Sequence, residues 1–207
     1  MPPGAKQFVQ NAPGGLAVLQ EYRQIARIAV VMGVSGSGKT TIGRAVASRL
    51  GWSFQEGDAL HPPENVTKMT AGQPLDDDDR APWLAAIADR IDDCRRRGES
   101  AVITCSALKR GYRDMLIGNR REVRLIHLTA PRELIAARIA QRRGHFMPAS
   151  LLDSQFDTLE PPGPEENAIT VSVDAPIEAI VDRLVAELSR TCATTPSRVE
   201  NYSYQGA

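Results

Sequence analysis

The residues with the most explicit chemistry are Gly33-Val34-Ser35-Gly36-Ser37-Gly38-Lys39-Thr40, which fit G-x-x-x-x-G-K-[ST] at every fixed position. A loop that turns consecutive N–H groups toward phosphate oxygens needs unusual backbone angles and close approach, which its glycines allow. The helix leaving at Lys39 adds the positive end of its dipole. Lys39 reaches the β/γ-phosphates, the Thr40 hydroxyl ligates Mg²⁺, and Thr41 counts with the loop as ATP-binding. The alternative is a Gly/Ser-rich turn that matches by accident. A strand before the loop and a helix after it argue against that. The loop therefore predicts a nucleoside triphosphate, with ATP and Mg²⁺ as the cofactors. The missing switch motifs speak against a GTPase: no Asp stands three residues before a Gly, and no Asn precedes a Lys.

Those elements belong to an alternating pattern. Arg27–Met32 is a β-branched run that stops at Gly33, and Gly38–Leu50 has helical apolar spacing closed by Gly51. Further strands are expected at Trp52–Gln55, Ala101–Cys105, Val123–Thr129 and Ile169–Val173. Helices are expected at Pro63–Thr70, Asp79–Arg97, Lys109–Ile117, Pro131–Arg143, Pro148–Leu159 and Pro176–Ser189. The helix from Asp79 has Pro82 in its first turn and Arg95–Arg97 at its end, as the dipole prefers. Five short apolar strands separated by helices predict an α/β fold with a parallel sheet covered on both faces. Ala101–Cys105 ends without the Asp that larger ATPases place there, and runs into Ser106-Ala107-Leu108-Lys109.

Composition is consistent with this. The 207 residues carry 25 Lys+Arg against 25 Asp+Glu, so no basic face predicts nucleic-acid binding. No apolar run reaches the ~20 residues of a membrane span, and residues 1–15 have no secretory h-region. The odd set Cys94, Cys105 and Cys192 lacks metal-ligand spacing and predicts reduced thiols in a cytoplasmic protein. Residues 1–26 are expected to be an extension, 27–190 the catalytic domain, and 191–207 a loose tail.

Gly57-Asp58-Ala59-Leu60-His61-Pro62, then Asn65, Lys68-Met69, Gly72, Pro74-Leu75 and Asp77-Asp78-Asp79-Arg80-Ala81-Pro82-Trp83-Leu84 form a dense signature. It resembles the gluconokinase family. So do Cys105-Ser106-Ala107-Leu108-Lys109-Arg110-Gly111-Tyr112-Arg113-Asp114, Gly144-His145-Phe146-Met147-Pro148, Ser154-Gln155-Phe156 and Leu159-Glu160. The resemblance covers about residues 27–190 and extends to shikimate-kinase-like and nucleoside-monophosphate-kinase-like proteins. It implies a three-layer phosphate-loop kinase fold, with strand order 2-3-1-4-5 and a mobile lid over about 143–160. It also implies phosphorylation of D-gluconate at its 6-hydroxyl by ATP, and it allows a homodimer. The alternatives are a kinase of another small polyol acid or shikimate-like substrate, and a nucleotide-binding regulatory protein.

In-line transfer needs a group to take the acceptor proton. Asp58 follows the second strand at the carboxyl edge of the sheet, where ligands bind in open α/β folds. It is expected to be the base, the alternative being a helix N-cap or turn residue. Glu56 is expected to hold a Mg²⁺-bound water, although the family resemblance implies Asp as often as Glu there. An anionic sugar acid calls for cations, and Arg80, Lys109 and Arg113 are the candidates. The last two stand four apart on one helix face, so both could point at one carboxylate. A solvated basic surface is the alternative. His61, Lys68, His145 and Gln155 complete the substrate set. Trp83 is expected in the core, and Asp76–Asp79 as a solvated helix start. On the donor side, Arg138 is expected on the adenine and Arg142 on phosphate, with Arg143 as its substitute and Pro176 bordering the base. The alternative for these arginines is favourable charge at a helix C-terminus.

Overall fold

The computed structural model describes residues 27–141 and 149–190. The expectations for residues 1–26, for Arg142, Arg143, His145 and the motif around it, and for the 191–207 tail lie outside the described residues. So does the opening of the expected lid.

Ile28–Met32 (β1) is buried at every position, as a strand with both faces covered must be. It pairs in parallel with Ala101–Thr104 (β3) on one side and Val123–Thr129 (β4) on the other. Ser53–Gln55 (β2) lies outside β3, and Ile169–Ser172 (β5) outside β4. The order is β2-β3-β1-β4-β5, and every pairing is parallel, as expected.

Alternation along the strands divides the core in two. Ala29, Val31, Ile126 and Leu128 pack on Lys39–Leu50 (α1), Arg132–Ala140 (α5), Ala149–Thr158 (α6) and Ile177–Arg190 (α7). Ile28, Val30, Met32 and Leu125 pack on Asp77–Arg97 (α3) and Arg110–Leu116 (α4). Pro63–Thr70 (α2) follows a 3₁₀ turn at Gly57–Leu60.

Helix α3 starts two residues before the expected Asp79. Asp76 Oδ1 accepts the Asp79 N–H at 2.8 Å, and Asp79 Oδ2 accepts the Asp76 N–H at 3.1 Å. This reciprocal cap sets the start at Asp77, with three acidic residues in the positive first turn. Pro82 therefore falls inside the helix, where it cannot donate to the Asp78 carbonyl. Lys109 is the N-cap of α4 rather than its first helical residue.

Candidate active site

The phosphate loop joins β1 to α1 with Gly33, Gly36 and Gly38 all at positive φ. Gly33 is sterically obligatory, because a Cβ there would lie 2.7 Å from the Leu128 carbonyl oxygen. Lys39 Nζ donates to the Gly33 and Val34 carbonyls at 2.9 and 3.0 Å, so its charge lies over the loop. Ser37 Oγ is sealed inside the loop and has no hydrogen-bond partner among the described residues. Thr40 and Thr41 are exposed on the first turn of α1. The Ser35 N–H donates to Gln155 Oε1 at 2.7 Å, which joins α6 to the phosphate loop. Gln155, expected near the acceptor, is thus placed on the phosphate loop itself.

A pocket of about 390 Å³ opens beside the loop, lined by Gly36–Gly38, Thr41, Arg138, Val173 and Ile177 among others. Arg138 Nη2 donates to the Val173 carbonyl at 2.8 Å, which holds the guanidinium on the pocket wall. Ile177 is an unusually exposed apolar residue, 45% accessible, and gives the pocket a greasy side suited to a flat base. Pro176 stands between Val173 and Ile177 in the chain. Sequence reasoning missed Ile177, whose only signal is its place directly after the expected base-bordering loop.

Across the loop, β2 runs into Glu56, Gly57 and Asp58. The Gly57 N–H donates to Thr104 Oγ1 at 3.0 Å, and the Trp83 indole N–H donates to the Gly57 carbonyl at 2.8 Å. A Cβ on Gly57 would lie 1.8 Å from the Thr104 carbonyl oxygen, so no other residue fits this turn. The Thr104 hydroxyl in turn donates to Glu56 Oε1. Asp58 is exposed and caps neither the 3₁₀ turn nor α2, whose N-cap positions are Glu56 and Pro62. The N-cap alternative for Asp58 is therefore not what the fold uses.

His61 stacks on Trp83, with ring centroids 4.1 Å apart and planes 12° from parallel. Its Nδ1 lies 3.3 Å from Asn65 Nδ2. Burial, the largest cause, and Arg80 lower its pKa while Asp58 opposes them, so the site favours the neutral ring. Trp83 is in the core as expected, and it also positions both His61 and the Gly57 turn.

The cation set divides. Lys109 Nζ donates to both Asp77 oxygens at 2.8 and 2.7 Å, Tyr112 Oη donates to Asp77 Oδ1, and Arg80 lies 3.9 Å from the same carboxylate. Arg113 instead grips Glu166, with Nε–Oε2 at 2.5 Å and Nη2–Oε1 at 3.0 Å. It also donates to the Ala107, Leu108 and Glu160 carbonyls. Arg113 and Glu166 side chains are only 2% and 7% exposed. The expectation that Lys109 and Arg113 converge on one carboxylate is corrected: α4 is short, Lys109 caps it, and Arg113 turns into the core. Lys68 is bound to Asp79 at 2.5 Å and ties α2 to the start of α3. Asp77 and Tyr112 were not foreseen as members of this cluster. Tyr112 lies three residues beyond Lys109, a helical spacing that could have revealed it.

These elements bring a phosphate cradle, a base-sized pocket and a carboxylate-bearing turn to one edge of the sheet. An AAA domain family profile matches residues 28–162. A gluconokinase from Gluconobacter oxydans is 52% identical over 159 residues, covering 77% of this chain and 89% of that protein. The crystal structure of a gluconokinase from Sinorhizobium meliloti superposes with a TM-score of 0.72 at 48% identity, covering 82% of this chain and 94% of that one. Shikimate kinase from Aquifex aeolicus, at 14% identity and a TM-score of 0.51, shares the fold over 80% of this chain and 98% of its own. The chain belongs to the gluconokinase family.

Proposed function

We propose that the chain transfers the γ-phosphoryl group of ATP to the 6-hydroxyl of D-gluconate, giving 6-phospho-D-gluconate and ADP. The observation that carries this is the phosphate loop facing the Glu56–Asp58 turn across one sheet edge, in a chain 52% identical to a gluconokinase. The ATP phosphates lie along Gly33–Thr40, and the base enters the pocket beside Arg138 and Ile177, near Pro176. Lys39 exchanges the Gly33 and Val34 carbonyls for charged β/γ-oxygens, which are stronger acceptors. Asp58 accepts the substrate hydroxyl and takes its proton as the new O–P bond forms and the bond to the β-phosphate oxygen breaks.

The donors present fit Mg²⁺. Thr40 offers a hydroxyl and Glu56 an oriented carboxylate, and the described residues hold no cluster of three or more His, Cys, Asp or Glu. That is the donor set of an ion carried mainly by substrate phosphates. Thr40 would hold it directly and Glu56 through water, and it supplies charge neutralisation at the β/γ-oxygens. Arg80 and Lys109 receive the gluconate carboxylate, which takes the place of Asp77, and His61 and Lys68 flank the hydroxyls. Among the described residues no helix is long and apolar enough to cross a membrane.

The test is a coupled ADP-release assay across a panel of sugar acids and shikimate-like acids. Gluconate should give the highest kcat/KM. A faster polyol acid, or nucleotide binding without transfer, would overturn the reading.

A further inference from the structure

Among phosphate-loop ATPases, the strand beside β1 commonly ends in an acid that helps hold the metal. Here that strand is β3, and its last residue is Thr104, in register with Val31 one residue before Met32 and the loop. We propose that Thr104 is a positioning residue that brings the carboxylate of Glu56, directly after the neighbouring strand β2, into that role. This rests on the kinase reading above.

The hydroxyl leaves little choice of geometry. Thr104 is 1% exposed, so its Oγ1 has no water to turn to. It accepts the Gly57 N–H at 3.0 Å and has a single proton, which goes to Glu56 Oε1. An acceptor and a donor bond made by one atom, on adjacent residues of one turn, fix both the backbone and the carboxylate it carries. The Trp83 indole N–H on the Gly57 carbonyl and the close approach of Gly57 to the Thr104 carbonyl hold the turn from its other sides. With Oε1 engaged by Thr104, Oε2 is the oxygen available to a metal-bound water. Removing the hydroxyl would let the carboxylate swing while the rest of the metal's protein contacts, at Thr40, remain.

The experiment measures binding of a non-hydrolysable ATP analogue by calorimetry, with and without Mg²⁺ and without gluconate. In the wild type Mg²⁺ should tighten binding, and no tightening would overturn the proposal. In Thr104→Val that gain should fall by about tenfold, the worth of one hydrogen bond to a charged group, with metal-free affinity unchanged. Thr104→Ser should restore it. Glu56→Gln should lose the same gain, and adding Thr104→Val to it should lose nothing more, because one residue acts through the other. Additive losses, an equal loss without metal, or no rescue by Ser would overturn the proposal. If Thr104→Val fails to fold, Thr104→Cys, which keeps the size but only a weak donor, carries the same test, and an undiminished Mg²⁺ gain there overturns the proposal. Gluconate-dependent ADP release by the wild type tests the kinase reading separately.

Discussion

In the proposed reaction Lys39 acts on the donor phosphates and Asp58 on the acceptor hydroxyl, so their substitutions should fail differently. Lys39→Ala should leave a folded protein with almost no turnover, since the proposed reaction uses its charge at the β/γ-oxygens, a contribution of several kcal/mol in a closed site. Near-normal kcat would remove Lys39 from that role. Asp58→Asn keeps the size and one acceptor oxygen but not the basicity, so kcat should fall by about 10²–10⁴ with ATP affinity preserved. If Asp58 only holds Mg²⁺ through water, raising Mg²⁺ should recover the rate. Because Asp58 caps no helix, its melting temperature should hardly move. Turnover near the wild-type rate would transfer the base to Glu56. Lys109 and Arg113 should separate just as clearly. Lys109→Ala should raise the gluconate KM with little loss of stability, since its ion pair with Asp77 is largely exposed. Arg113→Ala strips the buried Glu166 of its two-bond partner, leaving it the Gly163 N–H at 2.9 Å and Arg110 at 3.6 Å, and should cost about 3 kcal/mol, seen as a lower denaturation midpoint. A selective gluconate defect in a stable Arg113→Ala protein would restore Arg113 to the acceptor site. Their common spacing could not distinguish these fates, because it says which residues share a helix face and nothing about which way that face turns.

The strands and helices were legible in the sequence because their signals are local. β1 is a β-branched run ended by a glycine, and α1 is apolar at helical spacing until Gly51, which closes it with φ +68°. The start of α3 was misplaced because its capping box uses two aspartates, where the familiar pattern has Ser/Thr followed by Glu/Gln. Contacts between elements were less legible. Gln155 lies 120 residues from Ser35, and no periodicity announces that an α6 side chain will accept a hydrogen bond from the phosphate loop. This contact fixes a testable property of α6. The Ser35 N–H can serve one acceptor well, and Gln155 Oε1 holds it at 2.7 Å. Phosphate oxygens in the loop compete for the same donor. Gln155→Glu would retain the acceptor and add a negative charge beside them, so nucleotide affinity should fall at least tenfold, measured by calorimetry. An unchanged Kd would mean that α6 moves away from the loop whenever nucleotide binds.

At the scale of the molecule, the two sides of the sheet are tied by buried charge as well as by the apolar core. Arg113 reaches from α4 to carbonyls before that helix, to Glu160 just beyond α6, and to Glu166 ahead of β5. A second network joins α3 to the start of β4 through Asp92, Arg95, Arg120 and Glu122. The Arg120 guanidinium, foremost, holds Asp92 far below the usual carboxylate range. Arg113 likewise lowers Glu166, against the opposing effect of burial. A carboxyl with a depressed folded pKa binds fewer protons folded than unfolded, so stability falls as pH falls. Its contribution is fully present above the unfolded value of about 4.5 and disappears as pH drops through the folded one. Glu166→Gln should therefore lower Tm at pH 7, by about 1.5–3 kcal/mol or roughly 3–12 °C for one charge-assisted bond in a chain of this size. The gap to the wild type should narrow as pH falls below the unfolded value of about 4.5 and close once pH passes below the depressed folded one, where the wild-type carboxyl is protonated and resembles the amide. Tm measured from pH 7 to 3 decides it. Two curves that stay parallel would mean that Glu166 stabilises the molecule by shape and neutral hydrogen bonding, and that the acid sensitivity of the fold lies with Asp92.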